Sequence, residues 1–240
     1  MIKLNPVIKE YIWGTETWEV STHPDGITQG TQGTQGDRSL VSCDIPIIIK
    51  TIDARDKLSL QVHPNDEYAL KHENQSGKNE MWYIAEAKPG AELILGFKEP
   101  LSRDELKHRI ENNTILDKVR HVPVKAGDSY CIPAGMLHAI GKGIKIIEVQ
   151  QSSNVTYRVY DYDRRDSNGN PRELHIDKAL DVLDTTIEAI KANPPKLADW
   201  KYFNCELLTT DDGTTKLRTV TENIECLTSV ETGETIINPL

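Results

Sequence analysis

A mainly β fold, a barrel or sandwich with one short helical insertion, is what this sequence of 240 residues predicts. Short apolar runs recur at close intervals, helical periodicity is confined to two stretches, and a proline pair sets off the last runs from the rest. In chain order the runs at 45–52, 58–62, 81–85, 92–96, 129–132, 144–151 and 156–160 read as strands. Over 102–118 the pattern changes: Ser102 followed by Glu105 is a capping-box signal, and Leu106, Ile110 and Asn113 space as a helix. A second helical stretch is expected over 176–192, where Ala179, Leu180, Leu183, Ile187 and Ile190 follow a 3.6-residue period that Asn193-Pro194-Pro195 ends. Beyond it 202–208, 215–220 and 224–230 read as three strands, too few residues for a core of their own and therefore expected to pack on the main body. The division expected is 1–192, carrying the insertion at 102–118, and a C-terminal β segment at 196–240. The Thr-Gln-Gly repeat between Thr28 and Gly36 reads as a surface loop without chemistry.

Composition narrows the class. The four cysteines, Cys43, Cys131, Cys205 and Cys226, are scattered and form no C-x-x-C pair, so neither a disulfide framework nor a cysteine zinc site is expected. Met1-Ile2-Lys3-Leu4-Asn5-Pro6 lacks the apolar core of a signal peptide, and no run reaches the roughly 18 apolar residues of a membrane span; a cytoplasmic home without membrane contact is the expectation. A formal charge of -9 and a pI near 5.3 argue against nonspecific nucleic-acid binding. An anionic substrate would need local cations that reverse this field.

The chemistry-bearing residues start at Ser59-Leu60-Gln61-Val62-His63-Pro64, because strand alternation places Ser59, Gln61 and His63 on one face. With Glu80 and His138 from separate segments, two imidazoles and a carboxylate make a three-ligand set that leaves a divalent metal a position open for water or substrate. The residues Gly127, Pro133, Gly135 and His138 have the spacing G-x5-P-x-G-x2-H, which resembles the second cupin motif. Its glycines allow tight turns at strand ends and its last residue projects an imidazole into a barrel mouth. The first cupin motif is not matched in its usual form, since Glu80 lies far beyond His63 and a longer loop, 65–79, must intervene. His23, His72, His108, His121 and His175 have no such partners and read as surface or structural.

Four runs occur in order: Leu58-Ser59-Leu60-Gln61-Val62-His63-Pro64-Asn65-Asp66, Gly77-Lys78-Asn79-Glu80-Met81-Trp82-Tyr83, Ile132-Pro133-Ala134-Gly135-Met136-Leu137-His138-Ala139 and Asn154-Val155-Thr156-Tyr157-Arg158-Val159-Tyr160-Asp161-Tyr162. Together they resemble the type I mannose-6-phosphate isomerases of short bacterial form, over a span from about Pro6 to Lys191. The resemblance implies a cupin-type (jelly-roll) barrel, followed by a C-terminal incomplete second cupin-like β segment. It also implies one zinc ion per chain held by Gln61, His63, Glu80 and His138, and interconversion of mannose 6-phosphate and fructose 6-phosphate through a cis-enediol. Arg158 matches the family's active-site arginine, and Lys50, Ser59 and Lys78 match positions resembling its phosphate-binding group. For the base Glu148 is the first choice, with a metal-bound water or hydroxide, or Asp163, as alternatives.

Blander readings stand beside these. Lys50 fits a solvated strand-end lysine, Ser59 a locally bonded hydroxyl, and Arg158 a structural ion pair with Asp161 or Asp163. The residues after Val230-Glu231-Thr232-Gly233 run only to Leu240, so a truncated C-terminal half-barrel is expected, its open edge exposed or covered in a homo-oligomer. Two other functions remain open from sequence: a noncatalytic sugar-phosphate sensor of cupin fold, and a cupin dioxygenase preferring iron.

Overall fold

In a computed structural model, which describes residues 2–30, 45–165 and 169–240, the chain builds three antiparallel sheets. The central one is ordered β14-β10-β7-β12-β5-β3-β2, from strands β2 (Val7–Tyr11), β3 (Gly14–Val20), β5 (Ile47–Ala54), β7 (Glu80–Ala87), β10 (Ser129–Ile132), β12 (Ile144–Gln151) and β14 (Ile190–Lys191). On one side lies the sheet β13-β6-β11-β8-β9, from β6 (Leu60–Val62), β8 (Glu92–Phe97), β9 (Val119–Pro123), β11 (His138–Ile140) and β13 (Tyr157–Tyr160). The other side carries β15 (Lys196–Asp199), β16 (Asn204–Thr209), β17 (Thr215–Val220), β18 (Ile224–Ser229) and β19 (Thr235–Pro239), extended by β1 (Ile2–Asn5) and β4 (Gln29–Gly30).

The central sheet is buried on both faces, and this explains the continuous apolar run of β5. Ile47 and Ile49 join Met81, Cys131, Ile147 and Val149 against the C-terminal sheet, whereas Ile52 and Ala54 join Trp82, Ile84 and Ile146 toward the β6-containing sheet. A third cluster packs the outer face of the β6 sheet, through Leu60, Val62 and Tyr157, onto α2 (Arg103–Glu111) and α3 (Ile176–Val182). The C-terminal strands share the first cluster through Leu197, Phe203, Leu217 and Ile237, so they pack on the main body as expected.

The capping box forms: Ser102 Oγ accepts from Glu105 N at 3.2 Å and starts α2. That helix stops at Glu111, and a 3-10 turn, Ile115–Asp117, fills the rest of the expected stretch. The second helix is much shorter than 176–192. It ends at Val182 because Asp184 Oδ1 caps Thr186 N at 2.8 Å, and Ile190 then pairs with Cys131 as strand. The loop 65–79 contains α1 (Asp66–Glu73), capped by Asn65. Nor does the β structure stop after Val230, since β19 pairs with both β18 and β1. Of the Thr-Gln-Gly repeat, 31–36 lies outside the described residues, as does Cys43.

Candidate metal centre and active site

Alternation sends Gln61 of β6 and His138 of β11 inward from one sheet, and Glu80 of β7 inward from the other, with Gln61 and His138 as register partners. His63 follows β6 directly. Two turns bring these strands together. Gly135, at φ 89°, donates its N–H to the carbonyl of His63 at 2.9 Å, so the turn that launches His138 is tied to the other imidazole. Gly77 packs so closely that an added Cβ would lie 2.4 Å from Asp66 N, which sets the loop against α1 and delivers Lys78 and Glu80. Asn79 then bridges both regions, donating to Gln151 Oε1 and accepting from Ala134 N at 2.9 Å.

The resulting cluster is dry: His63, Glu80 and His138 are each 1% exposed. Each imidazole donates its Nδ1–H to a backbone carbonyl at 2.9 Å, His63 to Val155 and His138 to Met136, and this leaves both Nε2 atoms as lone-pair donors. Those Nε2 atoms face one another at 3.1 Å with no proton between them, and Glu80 Oε1 lies 3.2 Å from that of His63. Neither oxygen of Glu80 receives a hydrogen bond, although Lys78 Nζ comes within 2.7 Å of Oε1. Lys78 Nζ also reaches His63 Nε2 at 3.2 Å, so one ammonium serves two of the three groups. Two imidazole nitrogens and a carboxylate whose ligand atoms all lie within 4.8 Å of one another in a buried space are a donor set that fits a divalent metal. Gln61 sets its amide nitrogen 3.3 Å from His138 Nε2, a donor facing that lone pair; with the amide turned over, its oxygen would face the cluster in the same place. Burial, with the Lys78 charge, pushes the His63 imidazole down to about 3, and burial lowers His138 as well. Burial would raise Glu80, but Lys78 and the two histidines hold it well below the carboxylate range.

Next to this cluster is a cavity of about 280 Å³ whose walls include Lys50, Ser59, Gln61, Lys78, Glu148 and Arg158. All nine residues singled out in the sequence therefore lie at one locus, six on the cavity wall and three in the adjacent cluster. A larger surface hollow near His23 and Tyr202 holds none of them.

Glu148, 3% exposed, accepts from Trp82 Nε1 at 2.9 Å through Oε2, while Oε1 lies 3.3 Å from Lys50 Nζ. Burial and the nearby Glu80 charge raise its pKa. Burial would lower Lys50, yet Glu16, 3.6 Å away, and Glu148 together raise it, so Lys50 is a buried paired cation rather than a solvated strand-end lysine. Arg158 donates from Nη1 to the Glu173 carbonyl at 2.8 Å, and its Nε is buried without an acceptor. It forms no ion pair with Asp161 or Asp163 among the described residues; Asp161 is taken by Arg164 and Arg172. Burial, then the Arg172 charge, lowers Arg158. Asp163 does not line the cavity.

Sequence reasoning missed Glu16, Tyr11, Trp13, Thr156 and Arg172 on the wall. Three of them come from the β2–β3 hairpin, whose mostly half-exposed residues gave no strand pattern. Arg172 follows a charged run that reads by default as a solvated turn.

Fold and site define a cupin-type β protein with a His-Glu-His centre opening on a polar, partly cationic cavity. The comparisons with known proteins give the family. A mannose-6-phosphate isomerase of Streptococcus mutans is 43% identical over 182 residues, covering 70% of this chain and 57% of that one. The "probable mannose-6-phosphate isomerase GmuF" of Bacillus subtilis is 39% identical over 212 residues, covering 75% of this chain and 67% of that one. The crystal structure of mannose 6-phosphate isomerase from Bacillus subtilis superimposes with a TM-score of 0.73 at 27% identity, over 99% of this chain and 96% of that one. At the level of fold alone, a mannose 6-phosphate isomerase bound with zinc and yttrium aligns with a TM-score of 0.58 at 12% identity, covering 100% of this chain and 97% of that one. No family model matches. The chain belongs to the mannose-6-phosphate isomerase family, and it spans little more than half the length of its Streptococcus relative and two thirds of the Bacillus one.

Proposed function

We propose that the chain is an aldose–ketose isomerase that interconverts mannose 6-phosphate and fructose 6-phosphate, with one zinc ion held by Gln61, His63, Glu80 and His138. The observation that carries this reading is the convergence of two imidazole Nε2 atoms and a carboxylate, all buried, beside a cavity whose wall carries Glu148, an acid–base group whose pKa burial raises. Bound there, zinc supplies positive charge that polarises the sugar's oxygen atoms.

The chain's own residues do the rest. Glu148 Oε1 takes the carbon-bound proton at C2 and returns it at C1, while the hydroxyl proton of O2 passes to O1, and in reverse for the ketose, through a cis-enediol. Its raised pKa suits that exchange, and the Trp82 bond fixes the orientation of the carboxylate. Lys50, 3.3 Å away, stabilises the carboxylate that Glu148 is before it takes the proton and after it returns it. The unpaired Nε of Arg158 supplies a donor for the oxygen on which negative charge develops. Ser59, just before β6, shares the face of Gln61 and suits the phosphate end of the sugar; Lys78 stays close to Glu80.

A coupled assay of fructose 6-phosphate formation on zinc-loaded protein tests the proposal. Turnover that disappears with chelator and returns with zinc is the expected result. Tight binding of mannose 6-phosphate without turnover would make the protein a sensor, and iron as the bound metal on purification would favour the dioxygenase class.

A further inference from the structure

Strand β12 ends at Gln151, and the stretch from there to Val155 touches the supports of all three residues in the His63–Glu80–His138 cluster. Gln151 is 1% exposed, and its side-chain amide is divided between two loops. Its Oε1 accepts from the backbone N–H of Asn79 at 3.0 Å and from Asn79 Nδ2 at 2.6 Å. A backbone N–H can only donate, so the oxygen has to stand there, and Nε2 is thereby turned to Asp66 Oδ1 at 3.0 Å. The same Asp66 oxygen accepts from Gly77 N at 2.9 Å, and Tyr202 of the C-terminal segment donates to the other. Asn79 sits between Lys78 and Glu80 and accepts from Ala134 N at 2.9 Å, one residue before the Gly135 turn. At the far end of the stretch the Val155 carbonyl takes the Nδ1–H of His63, and Val155 N donates to Ser153 Oγ at 3.3 Å.

We propose that Gln151 is a positioning residue of the metal centre, holding Glu80 and the turn that launches His138 at a fixed separation, so that a divalent cation meets its ligands already in place. The inference rests on the reading of the cluster as a metal site. Glu80 belongs to the central sheet and His138 to the β6 sheet, and among the described residues no strand ladder joins the two: β7 pairs with β10 and β12, β11 with β6 and β8. Their spacing is therefore left to the loops at the sheet ends. A backbone bond from Lys78 N to the Pro64 carbonyl at 3.0 Å makes one tie. Gln151 makes another, because its amide joins the last residue of β12 to Asn79 on one side and, on the other, to α1, which follows β6 and His63. An amide is needed for both ends. A carboxylate would set an oxygen against Asp66, and an apolar side chain would leave the Asn79 N–H without this acceptor. Gln151 does not line the cavity, so it acts on the metal through its neighbours rather than on substrate.

The test is the zinc affinity of the full chain, measured by competition with a chromophoric chelator, alongside the visible spectrum of the cobalt-substituted protein and thermal unfolding of the metal-free chain. Gln151→Met keeps the length and apolar body of the side chain without its hydrogen bonds. It is expected to weaken zinc about 10- to 100-fold, the range for a lost outer-shell partner, and to shift the cobalt bands, which report ligand geometry. Asn79→Ala takes away the next link and should lose a similar amount; the double variant should lose no more than the larger single loss, since both break one path. Thr228→Val, which removes a buried hydroxyl pair in the C-terminal sheet, should lower the melting temperature and leave zinc affinity and cobalt bands unchanged. If Gln151→Met does not fold, Gln151→Asn carries the comparison with an amide too short to reach both partners, and should be weakened as well. A Gln151 variant that melts early yet holds zinc as tightly as the unmodified chain, with unshifted cobalt bands, would overturn the proposal. Additive losses in the double variant would overturn it too, by placing Gln151 and Asn79 on separate paths. No zinc binding by the unmodified chain would sink the metal reading and the proposal together; Gln151-dependent zinc binding without turnover would sink the isomerase reading alone.

Discussion

Glu148 illustrates how much of this site is decided by single side chains. One carboxylate oxygen is spent on Trp82 and the other is free of hydrogen bonds, so the group is oriented without being neutralised. Glu148→Gln preserves shape and the Trp82 contact while removing the ability to exchange a proton. Its kcat is expected to fall by about 10²- to 10⁴-fold, with zinc content and mannose 6-phosphate affinity little changed. An unaltered kcat would remove Glu148 from the mechanism. His138→Ala should behave differently, losing most bound zinc by metal analysis, because it deletes one of the two facing Nε2 donors. The His63–Glu80–His138 cluster was legible because strand alternation put His63 on an inward face and a cupin-like spacing marked His138. Glu16 and Arg172 were not, because their roles depend on contacts with Lys50 and Asp161 that no local pattern encodes.

Among the elements, the strands that could be read were those buried on two faces. The structure gives β12 as Ile144–Gln151 and β10 as Ser129–Ile132, the same bounds as the sequence expectation. Elements that are short or little buried escaped: β2 is largely exposed, β11 has only three residues, and α1 has a single buried residue, Ala69. The overlong second helix shows the converse error. Leu183, Ile187 and Ile190 continue a helical period, but Ile187, half-buried, packs against the inner core and Ile190 joins a strand, so periodicity was satisfied without a helix. The turn through Gly135 ties the two histidines of the candidate metal centre together. Its φ of 89° is costly for any side chain, and a Cβ there would approach the Val182 carbonyl at 3.1 Å. Gly135→Ala is therefore expected to lower stability by about 1 to 2 kcal/mol, measured by denaturant unfolding, and to weaken zinc retention as the bond to His63 shifts. Normal zinc affinity in a destabilised variant would separate the turn's structural role from its role at the site.

For the molecule as a whole, the central sheet divides its labour: one face holds the chemistry, and the other seats the C-terminal sheet. Thr51 of β5 points to the second face, donates to Glu19 Oε1 at 3.0 Å, and lies directly under the turn at Gly233. Glu19 is thus a carboxylate at the seam between two sheets. Burial, only partly offset by the Thr51 bond, raises its pKa from 4.5 to about 7; the neighbouring Glu234 adds to the rise and Lys145 opposes it. Below the unfolded value the group is protonated in both states. As pH rises from there to about 7, the folded protein keeps a proton that the unfolded chain has released, so the folded state binds more protons and stability falls with pH; above that window the contribution is flat. Glu19→Gln keeps an acceptor for Thr51 and abolishes the titration. The melting temperature of the variant relative to the unmodified chain should climb between about pH 4.5 and 7 and level off beyond. A difference that is constant with pH would mean that Glu19 is already ionised in the seam, and that the C-terminal sheet tolerates a buried charge beneath it.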